Sequence, residues 1–164
     1  MSRLAIVKLH KEGLKFSAGH FMLLSGTHRE SLHGHDYQVS VTFHTLIKKN
    51  GMSFDCRVYK QKVLEICQQL DYRFILPGES EYLRLEDAGD KWIAHLELES
   101  LTFSKNDAVV LPICNATLEE LSHWIVQQLS LNAAALAEDN IQGMIVEVYN
   151  GRAESAATCW GTCC

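Results

Sequence analysis

The sequence has little proline, little cysteine, no long apolar run and no excess of positive charge. Only Pro77 and Pro112 occur in 164 residues, and no proline-rich or low-complexity linker divides the chain. Six cysteines are a small fraction for a disulfide scaffold, and Cys159, Cys163 and Cys164 crowd the last six residues, so we read them as reduced thiols. That terminal group lacks the histidine partner of a soft metal site. The first 16 residues, MSRLAIVKLHKEGLKF, are broken by Lys8, His10, Lys11 and Glu12, which fits neither a signal peptide nor a membrane span. A cytoplasmic protein is expected. With a formal charge of −5, nothing draws the chain to nucleic acid or anionic lipid.

What is present is an ordinary soluble composition, 47% hydrophobic and 21% charged, at a length that supports one domain over residues 1–164 with a real core. No internal repeat is found. Segment 4–9 and the run YQVSVTFHTLI at 37–47 alternate with period two, placing Tyr37, Val39, Val41 and Phe43 on one face of a strand. From Asp55, a plausible N-cap, the period becomes helical through Val63, Ile66 and Leu70. Two strand-like runs within 82–111 flank a polar turn near Ser104 to Asp107 and predict a hairpin. Thr117 with Glu120 predicts a capping box opening a second helix over 118–131, and MIVEVY at 144–149 predicts a closing strand. The order β-β-α-β-β-α-β reads as α+β, an antiparallel sheet of four to five strands with two helices on one face.

The chemistry lies in FSAGHFMLLSGTHRESLHGHDYQVSV, residues 16–41. His33 and His35 are two apart, so on an extended strand both rings point to the same side. His20, a short loop upstream, supplies a third imidazole from a neighbouring strand. Three neutral imidazoles suit a borderline divalent ion such as zinc and leave a fourth position for water or substrate. The pair alone is equally compatible with two surface histidines. His10, His28, His44, His95 and His123 lack such company and are read as surface or core residues.

The pattern F-S-A-x-H, a loop, then H-G-H-x-Y before an alternating strand resembles the metal segment of the 6-pyruvoyltetrahydropterin and 6-carboxytetrahydropterin synthase family. The likeness runs along the whole chain. Gly51 to Asp55 is similar to the family's approach to its first helix, Leu70-Asp71 to its Leu-Asp-His, Thr117-Leu-Glu119 to its Thr-x-Glu pterin contact, and 144–158 to its closing strand. The resemblance implies a T-fold whose barrel is completed by oligomerisation, as trimers or hexamers with active sites between subunits. It further implies a zinc ion on His20, His33 and His35, and 7,8-dihydroneopterin triphosphate as substrate.

The sequence departs from the family at three places. None of its cysteines lies between His20 and His35, where the family keeps a catalytic thiol. Instead Glu30-Ser-Leu-His33-Gly-His35 resembles a variant class, E-x-L-H-G-H. For that class the implied reaction is C1′–C2′ cleavage to 6-hydroxymethyl-7,8-dihydropterin with Glu30 as base, against the triphosphate-eliminating synthase reaction or binding without turnover. The bland alternative is a loop carboxylate paired with Arg29. Tyr72 follows Asp71 where the family has histidine, and a phenol titrating near about 10 rather than about 6.5 makes this an altered relay. Read without the resemblance, Tyr72 is a core aromatic. Asn150 stands where the family has a pterin-binding glutamate, leaving Thr117, Glu119 and Asn150 as substrate contacts and Glu154 as a stand-in if the closing segment folds back.

Overall fold

In the computed structural model, which describes residues 3–162, the elements run β1 Arg3–His20, β2 Leu23–Ser25, β3 His28–Arg29, β4 His33–Ile47, α1 Cys56–Leu70, β5 Arg73–Pro77, β6 Arg84–Asp87, β7 Lys91–His95, β8 Ser100–Ser104, β9 Ala108–Leu111, α2 Leu118–Ser130, α3 Ala133–Glu138, β10 Ile141–Asn150 and β11 Glu154–Gly161. Cys163 and Cys164 lie outside the described residues. Cys56, Cys67, Cys114 and Cys159 are free thiols, and burial pushes the Cys67 thiol up to about 12.

The main sheet has six strands in the order β11-β10-β4-β1-β5-β9. Its centre is the long antiparallel pair β1 and β4, in register from Arg3↔Ile47 to His20↔His33 with one irregularity between His10 and Lys15. The expected alternation holds: Tyr37, Val39, Val41 and Phe43 are buried together with Leu14, Phe16, Met144, Val146 and Val148. This inner face carries both long helices, through Tyr59, Val63, Ile66 and Leu70 of α1 and Leu121, Trp124, Ile125 and Leu129 of α2. Each such side chain contributes roughly 1.5–3 kcal/mol by leaving water.

Two expectations need correction. The sheet is mixed rather than antiparallel, because β5 runs parallel to both β1 and β9. Residues 82–111 are also not one hairpin: β7 pairs with β8, in a separate three-stranded sheet with β6, while β9 leaves across the Ser104–Asp107 turn to join β5. Alternation marked these runs as strands but carried no information on partners.

The helix ends explain the parallel step. Asp55 caps α1 by accepting from the Arg57 N–H at 2.9 Å. At the other end Asp71 accepts from the Ser17 N–H at 2.8 Å, and the Tyr72 N–H donates to the Ser17 carbonyl at 2.7 Å. Tyr72 takes a left-handed backbone, φ 54°, which turns the chain out of the helix and lays β5 beside the end of β1.

Candidate metal centre and active site

The histidines converge because β1 and β4 are paired to their joined ends. His20 faces His33 and Ala18 faces His35 across the ladder, so the i, i+2 pair of β4 meets the last residue of β1. One ring nitrogen from each lies within 4.8 Å of the others. Ring centroids are 4.5 Å apart for His20 and His33, 5.1 Å for His20 and His35, and 4.8 Å for His33 and His35.

The partners of these rings decide which nitrogens are bare. The Nδ1 of His20 is 2.7 Å from the Ala116 carbonyl, and the Nδ1 of His33 is 2.7 Å from the Ser31 carbonyl. A carbonyl only accepts, so in both rings Nδ1 carries the hydrogen and Nε2 keeps its lone pair. In His20 that Nε2 is buried without any hydrogen-bond partner. A buried polar atom left unpaired is costly unless something else occupies its lone pair. Burial, reinforced by the two neighbouring imidazoles, lowers the His20 pKa against the opposing pull of the Ala116 bond and Glu30, which keeps the ring neutral as a ligand must be. The donor set therefore fits a divalent cation.

Glu30 sits beside this cluster. Its Oε2 accepts from the Met22 N–H at 3.2 Å and lies 3.9 Å from the His33 Nε2. The Arg29 guanidinium forms two hydrogen bonds to the Glu99 carboxylate, at 2.7 and 2.9 Å, and one to the Glu30 backbone carbonyl at 2.7 Å, so the Glu30 carboxylate is not its partner. A cavity of about 510 Å³ takes in His20, His33, His35 and Glu30 and also reaches Thr117, Glu119, Asn150 and Glu154. Asn150 and Glu154 oppose each other across β10 and β11, with the Asn150 amide donating to the carboxylate at 3.4 Å.

Asp71 and Tyr72 are not in this cavity. Tyr72 is 85% exposed, which excludes the core reading, and with Ser17, Asp36 and Phe74 it lines a second hollow of about 510 Å³ that shares only His35 with the first. Asp71 and Tyr72 together border a third, with Lys15 and Cys67. The apolar walls of the metal cavity, Met22, Tyr37 and Leu118, were not singled out from sequence. Tyr37 had a signal, since it follows His35 by two residues on the same face, and its ring lies 5.7 Å from that of His35. Burial, and after it the Glu30 charge, raises the Tyr37 pKa, so it stays a neutral phenol.

Residues 8–162 match the family model described as 6-pyruvoyl tetrahydropterin synthase. A Methanocaldococcus jannaschii protein described as "Putative 6-carboxy-5,6,7,8-tetrahydropterin synthase" is 27% identical over 146 residues, 88% of each chain. Among solved structures, 6-pyruvoyltetrahydropterin synthase of Plasmodium vivax superposes with a TM-score of 0.90 at 29% identity, covering 97% of this chain and 99% of that one. A catalytic-residue mutant of the same enzyme, with glutamate replaced by alanine, gives 0.91 at 28% identity over the same shares.

Proposed function

The chain belongs to the 6-pyruvoyl tetrahydropterin synthase family, and on that premise we propose that it is a metal-dependent pterin synthase acting on the side chain of 7,8-dihydroneopterin triphosphate. The names of its relatives favour the synthase reaction, release of the triphosphate to leave a 6-pyruvoyl pterin or, with the two remaining side-chain carbons also released as a two-carbon fragment, a 6-carboxy pterin. Glu30 favours a second reading, C1′–C2′ cleavage to 6-hydroxymethyl-7,8-dihydropterin, since a carboxylate rather than a thiol stands at the base position. The observation that carries both is three converging imidazoles and one carboxylate opening on a single cavity.

His20, His33 and His35 would hold zinc, chosen by the all-imidazole donor set. When bound, the ion supplies Lewis acidity toward side-chain oxygens. The rest falls to the chain's own groups. Glu30, held by the Met22 N–H, takes a proton from the substrate side chain. Its role is supported by the glutamate exchanged in the catalytic-residue mutant of the Plasmodium vivax enzyme. Glu119 and the Asn150 oxygen accept from the N–H groups of the pterin ring, whose faces rest on Met22, Tyr37 and Leu118. Asp71 and Tyr72 reach a site only from a neighbouring copy, consistent with their place outside this chain's own cavity.

The test is to incubate zinc-loaded protein and its Glu30→Gln variant with 7,8-dihydroneopterin triphosphate and weigh the products. A 6-pyruvoyl or 6-carboxy pterin from the wild type, with at least a roughly hundredfold loss in the variant, is the expected result. A 6-hydroxymethyl product selects the cleavage reading. No product from either protein sinks the enzymatic reading and leaves a pterin-binding paralogue.

A further inference from the structure

The carbonyl that meets His20 comes from a loop 96 positions away in sequence, and something must hold it there. Asn115, the residue before Ala116, does so through one side chain. Its oxygen accepts from the Leu23 N–H at 3.0 Å and from the Ala116 N–H at 3.0 Å, and its amide donates to the Leu23 carbonyl at 2.9 Å. Both backbone groups of Leu23 are thereby satisfied, as a paired strand would satisfy them. A second tie holds the same loop from the other side, where the Glu120 carboxylate accepts from the Cys114 N–H at 2.8 Å. Ala116 itself is fully buried, so its carbonyl has no water to turn to.

We propose that Asn115 is a positioning residue for the His20 site: by clamping Leu23 to the 114–116 loop it keeps the Ala116 carbonyl on the His20 Nδ1 and so holds His20 in the tautomer whose Nε2 is bare. The alternative tautomer puts a hydrogen on Nε2, the nitrogen that must face an ion, and cannot ligate. In the alanine variant the Leu23 N–H and carbonyl lose their partner, the loop loses its register against the segment following His20, and the two tautomers compete.

The first arm of the test needs no metal. Nitrogen-15 spectra of labelled histidine in the metal-free protein, above about pH 8 where an ordinary imidazole is neutral, read the tautomer directly. Wild type shows His20 protonated at Nδ1 alone, and Asn115→Ala shows a mixture. Asn115→Ser, a smaller change that also cannot span both Leu23 groups, gives the same mixture and replaces the alanine variant should that one not fold. Asn115→Asp keeps both accepting contacts but sets a carboxylate oxygen, which cannot donate, against the Leu23 carbonyl that the amide bonded, and gives a mixture as well. Tyr59→Phe, which removes a hydrogen bond to Asp139 and leaves the 113–117 loop and its contacts untouched, controls for a general loss of stability and leaves His20 unchanged. The second arm rests on the metal reading above: zinc affinity by chelator competition falls about 10–100-fold in Asn115→Ala and stays at the wild-type value in Tyr59→Phe. A single Nδ1-protonated His20 in folded Asn115→Ala or Asn115→Ser overturns the inference. A tautomer mixture in a protein that binds no zinc in any form supports it and removes the metal reading alone, so the two fail separately.

Discussion

At the scale of single residues, position along a strand decided most of what the site could be. His33 and His35 share a face because they are two apart, and the glycine between them is favoured by closeness rather than by backbone angle: a Cβ on Gly34 would stand 3.1 Å from the Ala18 carbonyl. Its cross-strand partner Gly19 is tighter still, with a Cβ falling 2.5 Å from the Phe74 ring. We expect Gly19→Ala to cost about 1–3 kcal/mol by displacing that ring, read as a lowered urea midpoint. An unchanged midpoint would show that Phe74 moves freely. Glu30 is the instructive case among the charged residues. Its neighbour Arg29 was the obvious partner by sequence, yet the bidentate geometry offered by Glu99 captured the guanidinium, which left Glu30 facing His33.

Among the elements, the helices were the most legible, because their signals are local. Asp55 and Thr117 were both readable as caps, and both accept a backbone N–H at the start of their helices. Glu120 departs from the reciprocal capping box, reaching back to the Cys114 N–H and so tying the loop instead of the cap residue. The Arg57 side chain and N–H at Asp55 hold its carboxyl down to about 2, from an ordinary value of 3.8. The sign follows from that direction. The charged cap contributes stability that is complete above about pH 4 and is lost as pH falls through about 2. The difference in urea midpoint between wild type and Asp55→Ala is therefore expected to be present at neutral pH and to close over that acid window. A difference independent of pH would assign the cap no charge contribution. The strands were recognised less completely: β5 and the separate β6–β7–β8 sheet carry short, half-exposed runs whose pairing depends on which surface they meet.

For the whole molecule, the sheet ends in open edges at β9 and β11, and Leu4 and Ile6 are 59% and 65% exposed on β1. Open edges and exposed apolar strand residues are what association between copies covers, in keeping with a barrel completed by oligomerisation. If Asp71 and Tyr72 serve a neighbour's cavity, then Glu30→Gln and Asp71→Asn proteins, each inactive alone, recover up to about a quarter of wild-type turnover when refolded together, from random pairing at each interface. No recovery in oligomers proven to be mixed would place the whole site within one subunit. What the sequence determined by itself was the set of elements with local periods and caps, and the identity of three imidazoles with a nearby carboxylate, because i, i+2 alternation and capping depend only on neighbours along the chain. The tertiary structure alone decided that β5 runs parallel to β1 and that Arg29 pairs with the Glu99 carboxylate rather than that of Glu30. It also decided that His20 is steered by a carbonyl 96 residues distant. Those contacts depend on where the segment after α1 and the loop before α2 come to rest against β1, and no spacing within either segment carries that information.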